Sequence, residues 1–228
     1  MSQVRLTTAL APSAVLFDLD GTLVDSAPDL AGAANEMRLA RGLPELPYVD
    51  LRAMVGSGAR GMVGLAFGTS PQDEQFNVLR DEFLQRYESR ITQLTRVFPG
   101  MTSVLARLEE QNIPWGIVTN KASRFSEPLV RALQLHTQAA TLVSGDSTPH
   151  SKPHPQPLLE AARRIGVNPA ACWYVGDDLR DMQAGRAAGM TTIAAAWGYL
   201  GIDEPIDTWG ADHTIQSPDE LLILLGMA

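Results

Sequence analysis

The chain has 228 residues, 18 of them basic and 26 acidic, for a formal net charge of −8. That length can bury a full core, as one domain with an insertion or as two small domains, and a hydrophobic content of 45% is that of an ordinary globular protein. The acidic balance argues against nucleic acid or an anionic membrane as a partner, so an anionic substrate would need locally concentrated positive charge.

Residues 1–12 lack an apolar stretch long enough for a signal peptide and read as a loosely ordered tail. No run approaches the length of a membrane span. The single cysteine, Cys172, lies in an apolar run and reads as a small core residue, and its use fits a reducing cytoplasm.

The first strong signal is Val15-Leu16-Phe17-Asp18-Leu19-Asp20-Gly21-Thr22-Leu23. An apolar run of this kind reads as a strand covered on both faces, ending in two carboxylates and a glycine turn. Open parallel sheets carry their chemistry just beyond the carboxyl ends of the strands, which puts Asp18 and Asp20 at a cleft rim. Asp25-Ser26-Ala27-Pro28 follows as a hinge, with Ser26 as the expected cap of the next helix. From there to about residue 96 the pattern is helical, with segments expected at 30–41, 48–56, 60–67 and 73–94 and breaks at Pro44, Pro47 and 68–71.

After Phe98-Pro99-Gly100 a strand–helix alternation sets in, the mark of a doubly wound sheet. Strands are expected at 113–118, 141–144, 172–175 and 191–195, and helices at 101–111, 126–135, 158–165 and 181–188. Ser217-Pro218-Asp219-Glu220 reads as a helix start with a cap, an N1 proline and a capping-box glutamate. The chain holds two lysines, Lys121 and Lys152, both just beyond expected strand ends or in loops near them. His150 and His154 read as surface loop residues.

Asp18-Leu19-Asp20-Gly21-Thr22-Leu23, Ile117-Val118-Thr119-Asn120, Ser151-Lys152-Pro153 and Val175-Gly176-Asp177-Asp178-Leu179-Arg180-Asp181 together resemble, in order, the four signatures of the haloacid dehalogenase-like hydrolase superfamily. The resemblance implies an α/β fold, a doubly wound parallel-sheet (Rossmann-like) core over 1–26 and 97–228 with an inserted helical cap domain at 27–96. It implies a phosphomonoester hydrolase working through an aspartyl-phosphate, with Asp18 as nucleophile, Asp20 as general acid and base, and Thr119 and Lys152 binding the transferred phosphoryl group. Mg²⁺ would be held by Asp18, the Asp20 backbone carbonyl and Asp177. Asp178 and Asp181 read either as helix caps or as supports for metal-bound water. Asn120 and the amides around Leu19 and Gly21 would complete the phosphate cradle, and Lys121, Arg124 and, from the cap, Arg60 would meet a substrate carboxylate. The expected partner is a small phosphomonoester, the expected state a monomer or small homo-oligomer.

The insertion has no lysine for a Schiff base and no histidine for mutase chemistry, and Leu30 stands about where that histidine would be. Asp20 favours hydrolysis over a stable aspartyl-phosphate. Within the phosphatases, the first motif and Val55-Gly56-Ser57-Gly58-Ala59 resemble bacterial phosphoglycolate phosphatases. Arg124-Phe125-Ser126-Glu127-Pro128, the fourth motif and Trp209-Gly210-Ala211-Asp212 look more like the sister group acting on N-acetylmuramic acid 6-phosphate. A phosphosugar mutase and a non-catalytic phosphate-binding module are the alternatives.

Overall fold

The computed structural model describes residues 11–201 and 204–227; most of the expected N-terminal tail lies outside them. Strand β1 (Ala14–Phe17) leads into a two-residue strand β2 (Val24–Asp25). Four helices follow: α1 (Ala27–Leu39), α2 (Tyr48–Ala53), α3 (Gly58–Phe67) and α4 (Phe76–Arg90). The chain returns through β3 (Arg96–Val97), which pairs antiparallel with β2, Val24 facing Val97. That short ribbon joins the two crossings between the helical insertion and the rest, and alternation over two residues left no trace of it in the sequence.

The remainder alternates: α5 (Met101–Glu110), β4 (Trp115–Val118), α6 (Ser123–Ala132), β5 (Thr141–Val143), α7 (Gln156–Ile165), β6 (Cys172–Gly176), α8 (Leu179–Ala187), β7 (Thr191–Ala195), β8 (His213–Ile215) and α9 (Pro218–Leu224). The main sheet has six strands in the order β5-β4-β1-β6-β7-β8, parallel throughout. β1 lies inside the sheet. The chain builds outward from it through β4 and β5, then crosses back to lay β6, β7 and β8 on its other side. Such a reversal of winding opens a crevice at the strand ends, here at the carboxyl ends of β1, β4 and β6. All residues of β1, β4 and β6 are buried, which explains their unbroken apolar texture.

Several expected element ends move for physical reasons. α6 begins at Ser123 rather than 126 because Asp146 accepts from the Ser123 N–H and hydroxyl at 2.9 and 2.8 Å, capping the helix from another loop. The long helix expected over 73–94 stops at Arg90, and Asp29 takes the Leu94 and Thr95 N–H groups at 3.0 and 2.8 Å, fixing the return to the core. Ser26 makes no side-chain cap bond to α1; the Tyr199 hydroxyl instead accepts from Ser26 N and Ala27 N at 2.8 and 3.0 Å. The capping box expected at Ser217 does not form, because Glu220 accepts from Gln216 N. Cys172 is buried and free, and burial pushes its thiol up to about 11, in keeping with a core role. Among the described residues no helix is long and apolar enough to cross a membrane.

Candidate active site

Asp18 follows directly on β1, and its N–H donates to the Val175 carbonyl at 2.9 Å, so the acid is held at a fixed height on the sheet edge. The chain then turns through Gly21, whose φ of +88° is a left-handed conformation open to glycine. A side chain there would also be impossible: a Cβ would lie 2.0 Å from Asp177 Oδ2. Gly198 closes on the same acid from the loop after β7, where a Cβ would come within 2.2 Å of Asp177 Cβ. Two bare backbones therefore clasp Asp177, and two donors orient it: Thr22 Oγ1 at 2.9 Å and the Tyr199 N–H at 2.8 Å.

Lys152 enters from the loop before α7 and is buried. Its Nζ stands 2.7 Å from Asp18 Oδ1 and 2.7 Å from Asp181 Oδ1, and also donates to the Val118 carbonyl at 3.0 Å and the Tyr174 hydroxyl at 2.8 Å. Burial alone would favour the neutral amine, but the Asp18 and Asp181 carboxylates outweigh it and hold Lys152 above the usual lysine range. Asn120 lines the cavity at the end of β4, and its side-chain amide grips the Lys152 backbone in both directions, donating to the carbonyl and accepting from the N–H at 2.9 Å each. Asn120, expected in the phosphate cradle, thus holds the lysine loop in place. The Gly21 N–H, expected in the same cradle, is engaged by the Val24 carbonyl at 2.9 Å. Thr119 is buried at the β4 tip with its Oγ1 accepting from Lys121 N at 3.1 Å, which leaves the hydroxyl proton available.

Asp18, Asp177 and Asp181 each offer a carboxylate oxygen, and these atoms lie within 4.8 Å of one another, all buried. Burial, resisted by Lys152 and reinforced by Asp181, pushes Asp18 up to about 7. Burial and the neighbouring Asp18 raise Asp177 well above the ordinary carboxylate range. One ammonium among three crowded acids leaves an excess of negative charge whose natural complement is a hard cation with oxygen ligands. Asp178 and Asp181 also form the capping box of α8. Of the two readings the sequence left open for Asp181, the structure shows the helix cap, with Oδ2 accepting from Asp178 N, while Oδ1 faces Lys152 and the Tyr174 hydroxyl.

Asp20 is engaged by Lys121, whose Nζ lies 2.9 Å from both carboxylate oxygens, and by the Ser26 hydroxyl. The Lys121 ammonium also sits over the Tyr87 ring of α4, 4.7 Å from its centroid. Above these groups is a cavity of about 360 Å³ between the strand ends and the insertion. Asp18, Asp20, Thr119, Lys121, Lys152 and Asp177 line one end, and Leu30, Val55, Phe83, Leu84 and Phe125 much of the other.

The arginines expected at a substrate carboxylate lie elsewhere. Arg60 is exposed and outside the cavity lining, because α3 turns Gly61, Met62, Val63 and Ala66 inward. Arg124 pairs with Glu88 at 2.8 Å on the exposed seam between α6 and α4. The arginine that does line the cavity is Arg180, held by Asp178 at 2.7 and 2.8 Å and by the Gly56 carbonyl. Tyr174 and Tyr199 were not expected at the site at all. Their spacing reads as core, and only the three-dimensional structure shows where the hydroxyls go.

The sequence model described as haloacid dehalogenase-like hydrolase matches residues 15–195. An N-acetylmuramic acid 6-phosphate phosphatase of Pseudomonas putida is 42% identical over 91% of this chain and 93% of its own. A phosphoglycolate phosphatase of Xanthomonas campestris is 46% identical over 92% and 95%. Among solved structures, a predicted phosphoglycolate phosphatase from Haemophilus somnus superposes with a TM-score of 0.82 at 26% identity, covering 93% of this chain and 97% of that one. Four motifs converging on one crevice, and a match that runs from β1 to β7, have one reading: this chain belongs to the haloacid dehalogenase-like hydrolase family.

Proposed function

We propose that the protein is a Mg²⁺-dependent phosphomonoesterase that works through an aspartyl-phosphate on Asp18. The observation that carries this reading is the convergence of Asp18, Asp177 and Asp181 around the Lys152 ammonium at the strand ends. Asp18 Oδ2 is the oxygen not engaged by Lys152 and is free to attack phosphorus in line with the leaving alcohol. Lys152 and the Thr119 hydroxyl stabilise charge on the transferred phosphoryl oxygens. Asp20, two residues from the nucleophile, protonates the leaving oxygen and then takes a proton from the water that hydrolyses the acyl-phosphate. Lys121 and Ser26 fix its orientation for both tasks.

Asp18, Asp177 and the Asp20 backbone carbonyl would hold Mg²⁺, with Asp181 beside them, and the ion would supply charge neutralisation that lets a carboxylate approach a phosphate dianion. The helices of residues 27–96 act as a cap over the site.

The relatives' substrates, N-acetylmuramic acid 6-phosphate and 2-phosphoglycolate, are the two candidates for this chain. Both are carboxylated, and Arg180 and Lys121 are the cations on the cavity wall that a substrate carboxylate would meet. The test is phosphate release from each with Mg²⁺, with EDTA as the control. Turnover that ignores EDTA, or that survives in Asp18→Asn, would overturn the mechanism. A mutase would need a cap acid/base, and the insertion holds neither histidine nor lysine.

A further inference from the structure

We infer that the inserted helices select phosphomonoesters whose leaving group is a sugar-sized ring with an apolar face, and discriminate against a two-carbon acid. The inference rests on the phosphomonoesterase reading and adds the substrate class.

Two features of the cavity carry it. The first is volume. About 360 Å³ falls in the ~300–1,000 Å³ range of clefts that enclose drug-sized ligands, and a phosphoryl group with two further carbons would leave most of it unfilled. The second is the division of its lining. The charged groups gather at the strand ends, where the phosphoryl group reacts. Leu30 of α1, Val55, Ala59 of α3, and Phe83 and Leu84 of α4 make the cap side mostly apolar, interrupted by Ser57 and Tyr87, with Phe125 of α6 added from the core.

The two cations of the lining other than Lys152 are already committed, Lys121 to both oxygens of Asp20 and Arg180 to Asp178 and the Gly56 carbonyl. Charge therefore discriminates weakly among carboxylated esters. Contact with the wall discriminates strongly, because each buried apolar group of a leaving group adds to binding and a short one never reaches the wall. A pyranose ring presents C–H groups on one face to such a wall and hydroxyls to the polar side.

The experiment compares kcat/KM for N-acetylmuramic acid 6-phosphate, 2-phosphoglycolate and the artificial ester p-nitrophenyl phosphate, in the wild type and in two variants that fill the wall from different helices, Leu84→Trp and Ala59→Leu. The expected wild-type preference for the sugar phosphate over 2-phosphoglycolate is at least ~100-fold, on the scale of a pocket that reads several apolar groups. Either variant that keeps the wild-type circular dichroism spectrum should lower that ratio at least ~10-fold, chiefly through a higher KM for the sugar phosphate. Two variants guard against one failing to fold. A wild type that favours 2-phosphoglycolate, or a ratio that stays put in a folded variant, overturns the inference and leaves the hydrolase standing. No release from any of the three esters, p-nitrophenyl phosphate included, overturns the phosphomonoesterase reading and the inference with it.

Discussion

The two walls of the cavity are built by opposite means. On the core side, the strand tips, the start of α8 and the lysine loop bring four charged side chains together, each tied to backbone: Asp18 through its own N–H, Asp177 through the Tyr199 N–H, Asp181 through the Asp178 N–H and Lys152 through the Val118 carbonyl. On the cap side the wall is apolar and the fixings are few. Arg180 reaches the Gly56 carbonyl, Arg52 reaches the Trp197 and Gly198 carbonyls, and Lys121 lies over Tyr87. Chemistry on phosphorus needs atoms placed to within tenths of an ångström, and a parallel sheet buried on both faces supplies that. Selectivity needs shape and apolar area, which helical faces supply and exchange without touching the reacting atoms.

That contrast predicts the largest losses on the core side. Asp18→Asn keeps the shape and removes the nucleophile, and kcat should fall by about 10⁴-fold or more, measured as phosphate release, with the circular dichroism spectrum unchanged. Chelation should come close to the same loss, reversed by added Mg²⁺, since the Asp18, Asp177 and Asp181 carboxylates lack enough donors of their own. Retained turnover in excess EDTA would show that Lys152 alone suffices to neutralise the cluster.

Lys152→Met separates catalysis from stability. It should lower kcat about 10²–10³-fold. It also leaves Asp18 and Asp181 buried without their shared ammonium, at a cost of about 3–5 kcal/mol in urea unfolding carried out in EDTA. Mg²⁺ should recover part of that loss in the variant. Next comes Tyr174→Phe, which removes a buried hydroxyl bonded to Lys152, Asp181 and the Val118 carbonyl and should cost about 1–2 kcal/mol.

The same contrast explains what could be read from the sequence. Asp18, Asp20, Thr119, Lys152 and Asp177 each sit at a strand end or in a short loop, where an abrupt switch from apolar to polar residues marks the position, and the structure brings them all to one crevice. Residues that act over long separations gave no such mark. The Tyr199 hydroxyl caps α1 from 172 residues away, and Tyr174 reaches Val118 across 56; in the linear chain both look like core. Ser26 matches the rule for a helix cap, yet its hydroxyl is turned to donate to Asp20 and accepts from no N–H of α1. Arg60 was singled out by the glycines around it, and those glycines do belong to a loop and helix start at the cavity. The register of α3, which sequence fixes poorly over ten mostly small and apolar residues, turns Arg60 to solvent.

The smallest effect is the one that asks how the insertion is attached. Arg52 of α2 donates to the Trp197 and Gly198 carbonyls at 3.3 and 3.0 Å and lies over the Tyr199 ring at 4.9 Å. Those residues belong to the loop that clasps Asp177, so Arg52 ties the cap to the acid cluster without touching it. Arg52→Ala should cost about 1 kcal/mol, a fall of about 2–4 °C in Tm, because one partly exposed side chain gives up two hydrogen bonds and a ring contact. KM for the sugar phosphate should rise several-fold while kcat changes less, since the groups that react keep their own backbone supports. Arg52→Lys retains the charge but loses the planar guanidinium that lies over the Tyr199 ring, so it should recover less than half of the loss. If Arg52→Ala instead lowered kcat as much as it raised KM, the loop from 197 to 199 would be holding Asp177 in place only while the cap is docked, and the division of labour between the two walls would fail at that point.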